Sequence, residues 1–176
     1  MLDFCFLGTS SGTPTKNRNV SALAIQRINH KPWLLVDCGE GTQHQILRTP
    51  YSLVSLAAIA ITHVHGDHPY GLPGLLATAG LLGRSAPLIL IAPAGIQSWL
   101  EMTFALSDSK LSFEIIFLDS QKYFENHNII NIQNVFNIQI RSLSHRVPSF
   151  AYEVTCTEVK PKLNIEKLIA DGIPRG

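Results

Sequence analysis

Residues 62–68 read Thr-His-Val-His-Gly-Asp-His, directly after the apolar run Leu56–Ile61. Imidazole nitrogen and carboxylate oxygen are donors that zinc and similar divalent ions take. His63 and His65 stand two positions apart, so in an extended segment both point to one side. Gly66 lets the backbone turn sharply, and Asp67 and His68 can then aim at a different point. A loop of this kind can feed two metal ions about 3.5–4 Å apart, which clamp the attacking and leaving oxygens of a phosphodiester and activate a water. The bland alternative is a chance cluster of surface histidines. With seven histidines in 176 residues, three within six positions argue against it.

Two donors per ion fall short of the three protein ligands usual for catalytic zinc. His145 is the best further candidate, because it ends an alternating strand-like run just before a loop, the same placement as the cluster. A lone histidine there is more often structural. His30, His44 and His127 fall in a turn, a helical stretch and an Asn-rich loop, and read as ordinary surface residues.

The positioning elements follow from periodicity. Residues 2–8 form a short apolar strand, and 8–19 a turn-rich loop. Residues 20–27 and 33–37 pair as a hairpin across the turn at 29–32. A helix is expected from about Glu40, a buried strand over 56–62, and helices over 71–82 and 93–106. Further strands are expected over 87–92, 113–119, 135–145 and 150–156, with Phe136, Ile138 and Ile140 alternating inward. Residues 125–134 read as a turn and sheet edge, and 162–172 as a short helix with a Gly stop. Strands outnumber helices and the two are interspersed, which favours an α/β or α+β layered domain.

Composition narrows the class. The chain is 45% hydrophobic and 15% charged with a net charge of +1, as in an ordinary globular domain and unlike a disordered or fibrous chain. Such a balance neither requires nor excludes nucleic acid, which would need a local basic patch. The N-terminus lacks a signal-peptide pattern and the apolar runs are too short to span a membrane. Cys5, Cys38 and Cys156 are odd in number and widely spaced, reading as reduced thiols rather than a disulfide or zinc knuckle. The expectation is a cytoplasmic protein.

The stretch Thr62–His68 resembles the H-x-H-x-D-H signature of the metallo-β-lactamase superfamily. Phe6–Ala22, Leu34–Thr49, His65–Leu76 and Leu143–Glu153 narrow the resemblance to ribonuclease Z, which trims the 3′ trailer from precursor tRNA. That resemblance implies an αββα sandwich and a zinc-dependent endoribonuclease that uses metal-activated water. It places His63, His65 and His145 on one zinc, and Asp67 and His68 on a second. Asp67 would also be the general base. Asp37 would brace the metal loop from behind, where the residues alone leave a capping or turn role equally open. Pro14–Asn19 matches the family's P-x-K-x-R-N loop near the tRNA 3′ end, so Lys16, Arg18 and Asn19 would contact substrate.

The resemblance covers only the N-terminal part of the family. Its second half supplies an aspartate bridging both zincs, a histidine for the second zinc and another that protonates the leaving oxygen. None of these is found in residues 1–176, and Asp171 in the tail does not substitute. The chain is therefore expected to be one metallo-β-lactamase-like domain over 1–176, truncated at its C-terminus. Two zincs are expected for the family, and one or a weakened pair here, with turnover by this chain alone inefficient. Precursor tRNA is the expected partner. A half sandwich leaves an edge and an apolar face open, so a homodimer or larger assembly is expected. The alternatives are a non-catalytic remnant with a partial metal site, or another hydrolase of the same fold. The stretches Pro14–Asn19 and Asp37–Gln45 weigh against the last.

Overall fold

The run Leu56–Ala60 is buried along its whole length, as a strand must be when it is covered on both faces. It is the central β4 of a six-stranded sheet in the order β1-β2-β3-β4-β5-β6. In the computed structural model, which describes residues 1–157 and residue 172, β1 is Leu2–Gly8, β2 Ala22–Arg27 and β3 Trp33–Val36. Strands β5 (Leu88–Ala92) and β6 (Ile115–Asp119) complete the sheet. The first three strands pair antiparallel, and β3 through β6 run parallel.

The parallel strands are joined through helices. Helix α1 (Thr42–Ile46) and a single 3₁₀ turn at Leu53–Ser55 lie between β3 and β4. Helix α2 (Leu72–Leu81) links β4 to β5, and α3 (Gly95–Leu106) links β5 to β6. The alternation of side chains divides the core. Leu35, Ile59, Ile61, Leu88 and Leu90 pack in one cluster with Leu72, Leu75, Leu76, Ile96 and Leu100 of the helices. Leu34, Ala58, Ala60 and Ile91 face the other way.

That second face meets an antiparallel sheet of β7 (Ile130–Ile132), β8 (Phe136–Leu143) and β9 (Ser149–Cys156). Phe136, Ile138, Ile140 and Phe150 supply its side of the core. The small alanines of β4 opposite them leave room for these larger side chains, as close packing requires. The result is a helix, sheet, sheet layering, with the expected alternation of Phe136, Ile138 and Ile140 facing inward.

Several boundaries differ from the sequence reading. The first helix starts at Thr42 rather than Glu40, because Gly41 takes a left-handed conformation, φ 74°, at its N-cap. Residues 125–134 hold more than a turn and edge: β7 lies within them. A further helix, α4 (Ser120–Glu125), is capped by the Asp119 carboxylate accepting from the Gln121 amide. The helix expected over 162–172, and Asp171, lie outside the described residues. The three cysteines are free: Cys5 lies in the edge strand β1, Cys156 ends β9, and Cys38 follows β3 and is buried.

At the end of the sheet where β4 and β5 begin, Arg84 is 2% exposed. Its guanidinium donates to the carbonyls of Leu53, Leu56, Ala86 and Pro87 at 2.7–3.0 Å. It thereby ties the lead-in to β4 to the lead-in to β5. Removing it would leave buried acceptors without donors, a cost of about 3 kcal/mol. Urea unfolding of Arg84→Met should show a loss of that order with an unchanged m-value; a loss below about 1 kcal/mol would mean that the carbonyls find other donors.

Candidate metal centre

In an open sheet, ligands collect beyond the carboxyl ends of parallel strands. Here the neighbouring strands β3 and β4 end in the two loops that carry Asp37 and the histidine cluster. The loops are stacked by backbone bonds: Cys38 N–H donates to His68 O at 2.6 Å, and Gly71 N–H to Cys38 O at 2.8 Å. The fit is too close for side chains at two glycines. A Cβ at Gly39 would lie 2.3 Å from the Asp67 carbonyl oxygen, and one at Gly71 would lie 2.2 Å from that of Gly39.

The third contributor is the β8–β9 turn. Leu143 pairs with Ser149, so His145 sits in the turn between them rather than on the strand itself. Two bonds bring this turn to the cluster. Phe150 N–H donates to Thr62 O at 3.0 Å, and the Tyr152 hydroxyl donates to Ile61 O at 2.6 Å. The second sheet is thus fastened to the C-terminal end of β4.

His63, His65 and His145 converge. One ligand atom from each lies within 4.8 Å of the others. Their rings stand 4.8–5.1 Å apart, centre to centre, and are nearly perpendicular to one another at 81–83°. His145 Nε2 is 3.3 Å from His65 Nδ1. Donors on a tetrahedral ion with bonds of about 2.0–2.1 Å are about 3.3–3.4 Å apart. Asp67 Oδ2 and His68 Nε2, at 3.5 Å, form a second edge of nearly that length beside the first. These donors fit zinc, and the cleft they line has a volume of about 580 Å³.

Behind the ring nitrogens is a set of acceptors. Asp37 is 4% exposed and takes the left-handed conformation, φ 59°. Its Oδ2 lies 2.6 Å from His68 Nδ1 and 3.1 Å from the Ser21 hydroxyl. Its Oδ1 accepts from both the amide and the hydroxyl of Thr62 at 2.9 Å. Thr62 Oγ1 in turn lies 3.0 Å from His63 Nδ1. Each of these bonds occupies Nδ1 and turns Nε2 toward the cleft. Asp67 is steadied from the other side, its Oδ2 accepting from Gly12 N–H at 2.8 Å.

The electrostatics of the two histidines diverge. Burial lowers the His63 pKa, and the neighbouring His68 adds to this. Burial also acts to lower that of His68, but the hydrogen bond and charge of Asp37, joined by Asp67, outweigh it and hold the value above the ordinary range. Burial raises the Cys38 thiol far above its usual range, so it offers no thiolate to a metal.

The loop at 14–19 is placed differently from the cluster. Lys16 and Arg18 are exposed. Asn19 is built into the fold: its side chain donates to Glu40 O at 2.8 Å, and its carbonyl accepts from Thr9 and Ser10. Sequence reasoning passed over Thr62, Ser21, Gly12 and Arg146. Thr62 was visible as a hydroxyl directly before His63. Ser21 and Gly12 act across long sequence separations and leave no local signal. The Arg146 guanidinium, beside His145, reaches within 3.2 Å of His65 Nε2.

Residues 2–152 match the family described as Anti-Pycsar protein Apyc1. The chain belongs to that family. This Apyc1-family chain is 50% identical to ribonuclease Z of Pseudomonas putida (strain W619), over 99% of its own length and 53% of that protein. Human tRNase Z, short form, superposes with a TM-score of 0.73 at 32% identity, covering 89% of this chain and 65% of that one. The metallo-β-lactamase fold protein YhfI from Bacillus subtilis aligns with a TM-score of 0.68 at 21% identity, over 88% of this chain and 58% of that one. That last likeness speaks to the fold alone. The fold is that of the metallo-β-lactamase superfamily, and the resemblance to ribonuclease Z holds along the chain. The chain spans about half the length of the curated relatives it matches.

Two outcomes follow from this geometry. Asp37→Ala should weaken zinc binding by roughly 10- to 100-fold, read by competition with a chromophoric chelator; an unchanged affinity would show that the histidines need no brace. Protons compete with metal for imidazole. Were Asp67 and His68 to hold an ion of their own, a raised His68 pKa and a lowered His63 pKa would make acidification empty that position first. Calorimetric zinc titration at about pH 7.5 and about pH 6 should lose the weaker class of site before the stronger.

Proposed function

We propose that this chain is the metal-bearing part of a zinc-dependent endoribonuclease of ribonuclease Z type, which removes 3′ trailers from precursor tRNA. The observation that carries the reading is the convergence of His63, His65 and His145 beside the Asp67–His68 pair. Support comes from the ribonuclease Z relatives and from human tRNase Z. In this reading His63, His65 and His145 hold one zinc, and Asp67 and His68 contribute to a second. Bound zinc would polarise the phosphate and make a water nucleophilic near neutral pH.

The chain's own residues supply the rest. Asp67, held by the Gly12 amide, accepts the proton of the attacking water. Asp37 orients His68 and, through Thr62, His63. Lys16 and Arg18 take flanking phosphates, and Asn19 fixes the loop that presents them. Water oxygen would form the new bond to phosphorus as one bridging P–O bond of the diester breaks and its oxygen leaves. Protonation of that oxygen, and the remaining ligands of the second zinc, fall to groups outside the described residues. Cytoplasmic location accords with this role; among the described residues no helix is long and apolar enough to cross a membrane.

A second reading is favoured by one observation, the family match itself: an activity proper to the anti-Pycsar family, carried out by the same site. Precursor tRNA and bis(p-nitrophenyl) phosphate, offered in parallel with zinc, separate the two. The tRNA reading expects cleavage at the trailer junction by the protein carrying this segment, lost on chelation and reduced at least about 100-fold by Asp67→Ala. Residues 1–176 alone should trim slowly. Turnover of the small diester with no tRNA cleavage would favour the second reading.

Assembly belongs to the same proposal. Phe4 and Phe6 on the edge strand β1 are 53% and 70% exposed, an apolar edge that a second copy can cover. Sedimentation at micromolar concentration should give a dimer or larger species; a clean monomer would refute this.

A further inference from the structure

A histidine holding a metal through one ring nitrogen carries its proton on the other, and that N–H needs an acceptor. His68 has one in Asp37, and His63 has one in the Thr62 hydroxyl. His65 does not follow this pattern. Its Nδ1 faces His145 Nε2 at 3.3 Å, while its Nε2 is approached by the Arg146 guanidinium Nη2 at 3.2 Å. A guanidinium has donors and no acceptor. When Nδ1 holds a cation and Nε2 carries the proton, two donors face each other, and this contact cannot persist. Arg146 is therefore unsuited to bracing His65, although it lies within one hydrogen bond of the metal cluster.

Arg146 is also uncommitted elsewhere. It is exposed and pairs with no carboxylate among the described residues. Its neighbour His145 lines the cleft together with Ser144, Leu143 and the acidic Asp37 and Asp67. An anion entering this cleft meets the carboxylates of Asp37 and Asp67 there, and a cation at the rim adds to the attraction of the metal that the proposed function places beside them. A planar fork of N–H groups matches the paired non-bridging oxygens of a phosphate.

We propose that Arg146 is the phosphate-binding residue of the cleft: its guanidinium leaves His65 Nε2 and donates to the non-bridging oxygens of the phosphodiester brought to the metal cluster. The inference rests on the phosphodiesterase reading but not on tRNA as the substrate. It assigns Arg146 to the reacting phosphate, whereas Lys16 and Arg18 serve the flanking ones.

The test uses zinc-loaded protein freed of excess metal, with inorganic phosphate as the probe. Phosphate affinity is read by calorimetry, and zinc affinity by chelator competition. Arg146→Ala should weaken phosphate binding roughly tenfold or more while zinc is held at least as tightly, since a nearby positive charge is gone. Arg146→Lys should fall between Arg146→Ala and the parent chain, keeping the charge but losing the fork. Unchanged phosphate affinity in Arg146→Ala overturns the proposal, as does a loss of phosphate matched by an equal loss of zinc. A protein that takes up no zinc overturns both this and the function above. Phosphate binding that depends on Arg146, with no cleavage of precursor tRNA, removes the tRNA reading and leaves this one standing.

Discussion

The buried carboxylate of Asp37 is the constraint on which the site depends. At 4% exposure, an ionised carboxylate is tolerable only if its lone pairs are filled. It is met by the Ser21 hydroxyl ahead of β2, by the amide and hydroxyl of Thr62 after β4, and by His68 in the metal loop. Satisfying one charge thus locks three separate chain segments into register. Its left-handed backbone, φ 59°, is a conformation that Asp tolerates better than most residues. It redirects the chain after β3 so that Cys38 and Gly39 can lie against the metal loop.

The topology makes that arrangement possible. Parallel pairing of β3 with β4 puts their carboxyl ends side by side, so two loops distant in sequence share one site. The second sheet then adds His145, and what aligns it is a pair of bonds to the end of β4 rather than the hydrophobic contact alone. The Tyr152 hydroxyl, bonded to Ile61 O and close to the Ser120 hydroxyl, anchors the second sheet to the end of β4. Side chains from two sheets give a histidine set whose rings are nearly perpendicular to one another.

Much of this was legible in the residues. Strands with alternating or continuous apolar patterns, such as Phe136–Leu143 and Leu56–Ala60, were readable because burial of one or both faces writes itself into composition. The histidine cluster was readable because its donors are adjacent in sequence. Features set by long-range contact were not. Helix α4 is short, and the packing of Ser120–Glu125 against β6 and β8 has no periodic signature. The burial of Arg84 depends on carbonyls 28 to 31 residues away. Gly12 reaches Asp67 across 55 residues. Arg146 lay inside a recognisable stretch, but its nearness to His65 exists only once the two sheets meet.

The histidine cluster and its brace therefore form one unit: a carboxylate behind, oriented imidazoles in front and a guanidinium beside them. X-ray absorption at the zinc edge of the loaded protein measures that unit most directly. Three imidazole nitrogens at about 2.0–2.1 Å, with no sulfur, are the predicted shell. A sulfur scatterer at about 2.3 Å, or fewer than two imidazoles, would contradict it.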